Sequence, residues 1–205
     1  MPDGGSEIKQ GRKFDQVLSG AREVFMRDGF EGASVDDIAR AAGVSKATLY
    51  SYFADKRLLF MEIARRECNR QAEQAIGAID MDAPLAEILR AVGWEFVNII
   101  TSDFGQRIFR ICVAEADRFP ELGRAFYESG PNIMRTRMIE LLECGVARGE
   151  LAIDDMELAA DQFPELCKAD LFPRMVFKGV DSFTDAEKQR VIEGAVATFM
   201  ARYGV

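Results

Sequence analysis

Residues 34–53 read SVDDIARAAGVSKATLYSYF, and the fold follows from how this stretch divides. Ser34 stands three residues ahead of Asp37, a near capping box with Asp in place of the preferred Glu. Behind it, Val35, Ile38, Ala39 and Ala42 recur at helical spacing and predict the buried face of a short helix. Gly43 breaks that helix and supplies the positive φ that a tight helix–helix turn requires. Ser45 caps a second helix over 46–53, with Leu49 and Phe53 on its core side. Ala41 and Ala42 are small enough for the two helices to approach closely, and Val44 and Leu49 fill the space between them. Such a hairpin turns the N-terminus of its second helix outward, where it can enter a major groove.

The side chains at that outward end suit the task. Ser45, Lys46, Ala47 and Thr48 are short or flexible. Lys46 can contact guanine or phosphate, Thr48 offers a hydroxyl and a methyl, and Ala47 can touch a thymine methyl. Tyr50 and Tyr52 can donate to phosphates, which fixes register without reading sequence, and Lys56 adds a phosphate clamp. The free amides of the helix that starts at Ser34 can hold a further phosphate. Blander readings stand beside these: Ser34 and Ser45 as caps alone, and one of the two tyrosines packed on the preceding helix.

Outward from the motif, nearly everything reads as helix. Phe14, Val17, Leu18, Ala21 and Phe25 lay one apolar stripe on a first helix, which Asp28-Gly29 ends. Asp55 caps a fourth helix carrying Leu58, Leu59, Met61 and Ile63, expected to run into the high seventies. Further helices are predicted near 84–102, 105–117, 119–129, 131–148, 155–170 and 184–203. Pro84 and Pro131 suit first turns, whereas Pro164 should kink or split its helix. The expected architecture is all-α: an N-terminal three-helix helix-turn-helix domain, then a helical-bundle dimerisation and ligand-binding domain. Its parts are a disordered leader over 1–11, a DNA-binding head over 12–60 and a C-terminal body over 61–205.

Composition narrows the function class. The 205 residues include no histidine, and Cys68, Cys112, Cys144 and Cys167 form no CxxC pair. That argues against zinc fingers and histidine-based catalysis. No GxSxG, HExxH or P-loop pattern occurs, so an enzyme is not expected, and neither a cofactor nor a metal is called for. The thiols read as core residues, with a redox-sensing thiol as the alternative. No apolar run approaches a membrane span and the polar N-terminus lacks a signal-peptide centre, so a cytoplasmic chain without membrane attachment is expected. The net charge is −8, unusual for a DNA binder. Residues 1–66 carry eleven Lys and Arg against ten Asp and Glu, a balance of +1; residues 67–205 carry fifteen against twenty-four, a balance of −9. The acidity lies outside the head, which can still bind if its cations share one face.

The run from Phe14 to Phe60, above all AGVSKATLYSYFADK, resembles the N-terminal domain of the TetR family. It departs from the family pattern at Ala47, where glycine is frequent, and at Ser51, where a larger polar residue is frequent. The stretch Arg107–Gly149, with RIFRICVAEADRFPELGRAFYESGP, resembles the C-terminal domain of AcrR-like and AefR-like members. The resemblance implies a ligand-responsive regulator, most often a repressor, that binds a palindromic operator in double-stranded DNA as a homodimer. Two of its implications can be placed on residues. The stripe Val191, Ile192, Ala195, Val196, Phe199 and Tyr203 asks for a covering partner, which a dimer through the 155–170 and 184–203 helices supplies. The other reading is that this stripe packs only within its own subunit. An effector pocket would draw on an aromatic and Met-rich population, with Trp94, Phe109, Cys112 and Met138 as candidate walls for a small, mainly apolar molecule, although such residues at helical spacing also serve as plain core. An activator, a regulator without ligand, and a helical carrier that binds no DNA are the competing readings.

Overall fold

A computed structural model describes residues 11–76, 80–177, 179–180 and 182–205. Among these the chain is helical, apart from one isolated antiparallel bridge between Leu151 and Gly204. It divides into two compact units between Glu67 and Cys68. The expected leader falls almost wholly outside the described residues, as does the side chain of Cys68.

The first unit holds α1 (Arg12–Gly32), α2 (Val35–Ala42), α3 (Lys46–Tyr52) and the start of α4 (Lys56–Ile76). Within α1 the regular helix ends at Gly29, whose φ of 72° only glycine adopts cheaply, and a last turn follows. The predicted stripe of α1 is buried: Phe14, Val17, Leu18, Ala21 and Phe25, joined by Val24. Opposite it lie Ile38, Ala39, Ala42, Leu49, Phe53, Leu59 and Phe60. Val35, expected in this core, is only half-buried. Rings fill the middle: Phe14 stacks on Phe53 at 5.5 Å, and Phe25 meets Phe60 edge-on at 5.0 Å. Gly20 is where α1 and α2 come closest; a Cβ there would lie 2.4 Å from the backbone nitrogen of Ala42.

The second unit contains α5 (Leu85–Thr101), α6 (Asp103–Glu115), α7 (Pro120–Ser129), α8 (Pro131–Ala147), α9 (Met156–Cys167), α10 (Leu171–Val176) and α11 (Asp185–Tyr203). Its core is one cluster drawn mainly from α5, α8, α9 and α11, including Leu89, Leu142, Phe163, Ile192 and Phe199. Pro131 occupies the first turn of α8 as expected, but Pro84 sits one residue outside α5 as its N-cap. A capping box joins Thr184 and Glu187 at the start of α11.

Three expectations need correction. Pro164 does not split α9: it lies three residues from the end at Cys167, so little helix remains for its missing N–H to disrupt. The 155–170 segment stops at Cys167, and a short helix that was not predicted, α10, follows after Asp170 at φ 64°. Finally, the α11 stripe from Val191 to Tyr203 is buried in its own subunit's core. It therefore needs no partner to cover it. The face that α11 leaves exposed is the opposite one, Gly194, Ala197, Thr198 and Ala201.

Candidate nucleic-acid interface

The turn between α2 and α3 is built from local rules. Ser34 Oγ accepts from Asp37 N at 3.0 Å and caps α2. Gly43 closes α2 in the left-handed region, φ 63°, and its N–H and that of Val44 return to Arg40 O and Ala39 O. Ser45 then caps α3, its Oγ accepting from Thr48 N at 3.1 Å. Leu49 is fully buried and ties α3 to the core, so the opposite face of α3 is free. Ser45, Lys46, Ala47, Tyr50 and Ser51 are exposed there and Thr48 is half-buried. This is a helix-turn-helix with the outer end of its second helix uncovered.

The predicted contact residues fall into two groups. Ser45, Lys46, Ala47, Thr48 and Tyr50 share the exposed end of α3. Tyr52 and Lys56 are tied into the head. Tyr52 meets Phe14 of α1 edge-on at 5.4 Å and is half-buried. Lys56 Nζ donates to Phe30 O at 2.8 Å and Ala33 O at 2.9 Å, and lies 4.5 Å from the Phe30 ring centroid. Two of its three N–H groups thus satisfy carbonyls at the end of α1. Ser34 donates to Asp37 Oδ2 at 2.5 Å, so a carboxylate already faces the cap of α2, and this hydrogen bond holds Asp37 below the usual carboxylate range.

One residue at this surface escaped the sequence reading. Asp36, in the first turn of α2, lies 2.5 Å from Lys46 Nζ. The hydrogen bond that Lys46 donates to Asp36 raises the Lys46 pKa. The available signal was that both stand in the first turns of adjoining helices, Asp36 two residues after the cap of α2 and Lys46 one residue after the cap of α3.

The proposed effector residues also separate. Met138 is buried in the α5–α8–α9–α11 cluster, with Trp94 packed against it. Phe109 belongs to an aromatic group with Phe172 at 5.1 Å and Phe126 at 6.3 Å, and Cys112 is buried nearby in sequence on α6. Burial pushes the Cys112 and Cys167 thiols up to about 12, which keeps both protonated, whereas Cys144 is exposed. Among the described residues, no group of His, Cys, Asp and Glu could hold a metal ion, and no helix is long and apolar enough to cross a membrane.

Comparison with known proteins settles the family. Residues 17–63 match the bacterial regulatory proteins of the tetR family, and residues 87–205 match the AefR-like transcriptional repressor C-terminal domain. The chain belongs to the TetR family. It is a transcriptional regulator, not an enzyme. The solved TetR-family regulator from Mesorhizobium loti MAFF303099 superposes with a TM-score of 0.78 at 28% identity, covering 97% of this chain and 100% of that one. The flavonoid-responsive regulator FrrA superposes with a TM-score of 0.74 at 34% identity, covering 95% and 98%. Curated helix-turn-helix relatives match over shorter stretches. The repressor AcnR of Corynebacterium efficiens is 40% identical over 58 residues, 28% of this chain and 31% of its own length. The activator FasR of Mycolicibacterium smegmatis is 30% identical over 99 residues, 48% and 45%. The chain spans less than half the length of these two curated relatives.

Proposed function

We propose that this TetR-family regulator is a cytoplasmic repressor that binds a palindromic operator as a homodimer and is released by a small, mainly apolar effector. The observation that carries the DNA-binding part is the uncovered end of α3: Ser45, Lys46, Ala47 and Thr48 for base edges and Tyr50 for a phosphate. Tyr52 serves as a supporting phosphate donor, and Lys56 keeps one N–H for the same purpose while holding the end of α1; the hydroxyl of Ser34 is taken by Asp37.

A two-fold dimer places two such ends about 34 Å apart, one turn of B-DNA. The exposed face of α11, with Gly194, Ala197, Thr198 and Ala201, supports a close contact with its symmetry mate, because small side chains let helix axes approach. Leu158 of α9 is half-exposed and supplies apolar area for the same contact. A ligand that binds better to a different head spacing would shift the population away from the DNA-competent form, with α4 as the connecting lever. The apolar effector class is supported by the Phe109–Phe126–Phe172 group and by the likeness to FrrA, a flavonoid-responsive protein. An activator remains the second reading, favoured by the match to FasR.

Selection of genomic fragments retained by the purified protein supplies the operator. In a gel shift on that fragment, Lys46→Ala and Tyr50→Ala each bind roughly tenfold more weakly, in line with the worth of one good base or phosphate contact, and both sediment as dimers. Parent-like affinity in both variants refutes the site. Thr198→Arg sediments as a monomer; an intact dimer moves the interface elsewhere. Sole-tryptophan fluorescence from Trp94 follows titration with lipophilic and charged compounds, and saturation by charged compounds alone rules out the effector class.

A further inference from the structure

The head has a charge balance near +1, and the structure accounts for how its cations are used. Arg27, Arg40, Lys46, Arg57, Arg65 and Arg66 each lie within ion-pair distance of a carboxylate of the same unit. Most of these pairs join neighbours along the chain: Arg27 with Asp28, Arg40 with Asp37, Arg57 with Asp55, and both Arg65 and Arg66 with Glu62. The Lys46–Asp36 pair is different, because it joins α2 to α3 at the reading end itself.

Position makes this pair consequential. Lys46 is the first residue of α3 and the sole cation among Ser45, Lys46, Ala47 and Thr48. Both partners face solvent, with side-chain exposures of 56% for Lys46 and 59% for Asp36. In a helix-turn-helix the first helix crosses the DNA backbone while the start of the second meets base edges. A carboxylate 2.5 Å from Lys46 Nζ therefore approaches the same phosphates and base edges as the ammonium does. When Lys46 turns to DNA, Asp36 loses its partner and is left beside a polyanion. Each step opposes binding: a pair breaks, and a like charge is brought up to the phosphates.

We propose that Asp36 is an internal competitor of DNA for Lys46, a built-in brake on the affinity of each head. The inference rests on the reading that Lys46 contacts DNA. Exposed pairs are weak, so the brake is modest: removing it tightens binding roughly two- to fivefold per head. An operator that engages two heads multiplies the two factors. The start of α2 gives Asp36 a second, structural benefit, since an acidic residue there suits the helix dipole. Asp36→Asn keeps size and capping geometry while removing the charge, and circular dichroism reports whether α2 survives.

The test is a double-mutant cycle on the full-length protein, by fluorescence anisotropy at fixed salt. It uses the selected operator fragment and a mixed-sequence 30-base-pair duplex as probes. Four proteins enter: the parent, Asp36→Asn, Lys46→Ala and the double variant. The proposal expects Asp36→Asn to bind both duplexes more tightly, and expects most of that gain to vanish in the Lys46→Ala background. Unchanged or weaker binding by Asp36→Asn overturns it, because Asp36 would then position Lys46 rather than compete for it. An equal gain with and without Lys46 also overturns it, because plain repulsion of phosphate would then suffice. Parent-like binding by Lys46→Ala fails the underlying site reading instead, and is seen in its own arm of the cycle.

Discussion

Gly20→Ala sets a small gain against a larger clash. Gly20 lies inside α1, and replacing a helical glycine with alanine stabilises a helix by about 1 kcal/mol. The added methyl, however, would sit 2.4 Å from Ala42 N, 2.6 Å from Ala42 Cα and 2.8 Å from Ala42 Cβ. Two of these are backbone atoms, so no rotamer change relieves the contact. Restoring an ordinary 3.4 Å separation requires α2 to retreat by about 1 Å. Overpacking of this kind costs up to about 3 kcal/mol, leaving a net loss of about 2 kcal/mol after the propensity gain. The first unit, Met1–Glu67, is of the about 60–100-residue size class, for which that loss lowers the melting temperature by roughly 8–16 °C. Because Gly43 couples α3 tightly to α2, the reading end moves as well, and operator affinity falls. Thermal unfolding followed by circular dichroism, paired with anisotropy on the operator fragment, measures both effects. A variant that melts at or above the parent temperature would show that α1 and α2 do not approach as closely as described, and would refute the reasoning.

Other perturbations test other parts of the molecule. Lys56→Ala removes two hydrogen bonds to carbonyls and the contact over Phe30; the head loses about 3 kcal/mol or more in urea unfolding, since hydrogen bonds from a charged donor are each worth about 1.5–3 kcal/mol. An unchanged midpoint would place Lys56 among purely functional residues. Iodoacetamide at pH 8 labels the exposed Cys144 well before Cys112 and Cys167, whose thiols burial pushes up to about 12, and peptide mass spectrometry of timed samples reads the order. Asp55 is held below the usual carboxylate range by the guanidinium of Arg57. A carboxylate depressed in the folded state stabilises above its unfolded pKa and loses that contribution as pH falls through the folded value. Asp55→Asn therefore narrows the stability difference between pH 7 and pH 3, and an unaltered difference removes the pair as a contributor.

How much was legible in the sequence depends on the range of the forces involved. The helix-turn-helix could be read because its determinants are local. Ser34 and Ser45 bond to N–H groups three residues on, and Gly43 takes a conformation that few other residues tolerate. The α1 stripe could be read for the same reason, since helical periodicity alone determines which side chains share a face. The short helix α10 could not, because Asp170 at φ 64° gives no strong sequence signal and Pro173 obscures the pattern. Gly20 left only a hint, an unexplained glycine inside a helix, and its reason is a neighbour twenty-two residues away.

Sequence by itself determined that the fold class is all-α, where the second helix of the helix-turn-helix begins and which side chains stand at its start, because caps, periodicity and turn glycines act within a few residues. Tertiary structure decided what each face is for. It took the Val191–Tyr203 stripe from an expected partner and gave it to the subunit's own core. It turned two of the Lys56 N–H groups onto carbonyls 26 and 23 residues back, and it brought Asp36 to Lys46. These are choices among competing acceptors and competing apolar surfaces. Composition and spacing leave them equal, and only the packing of helices distant in sequence makes one of them nearest.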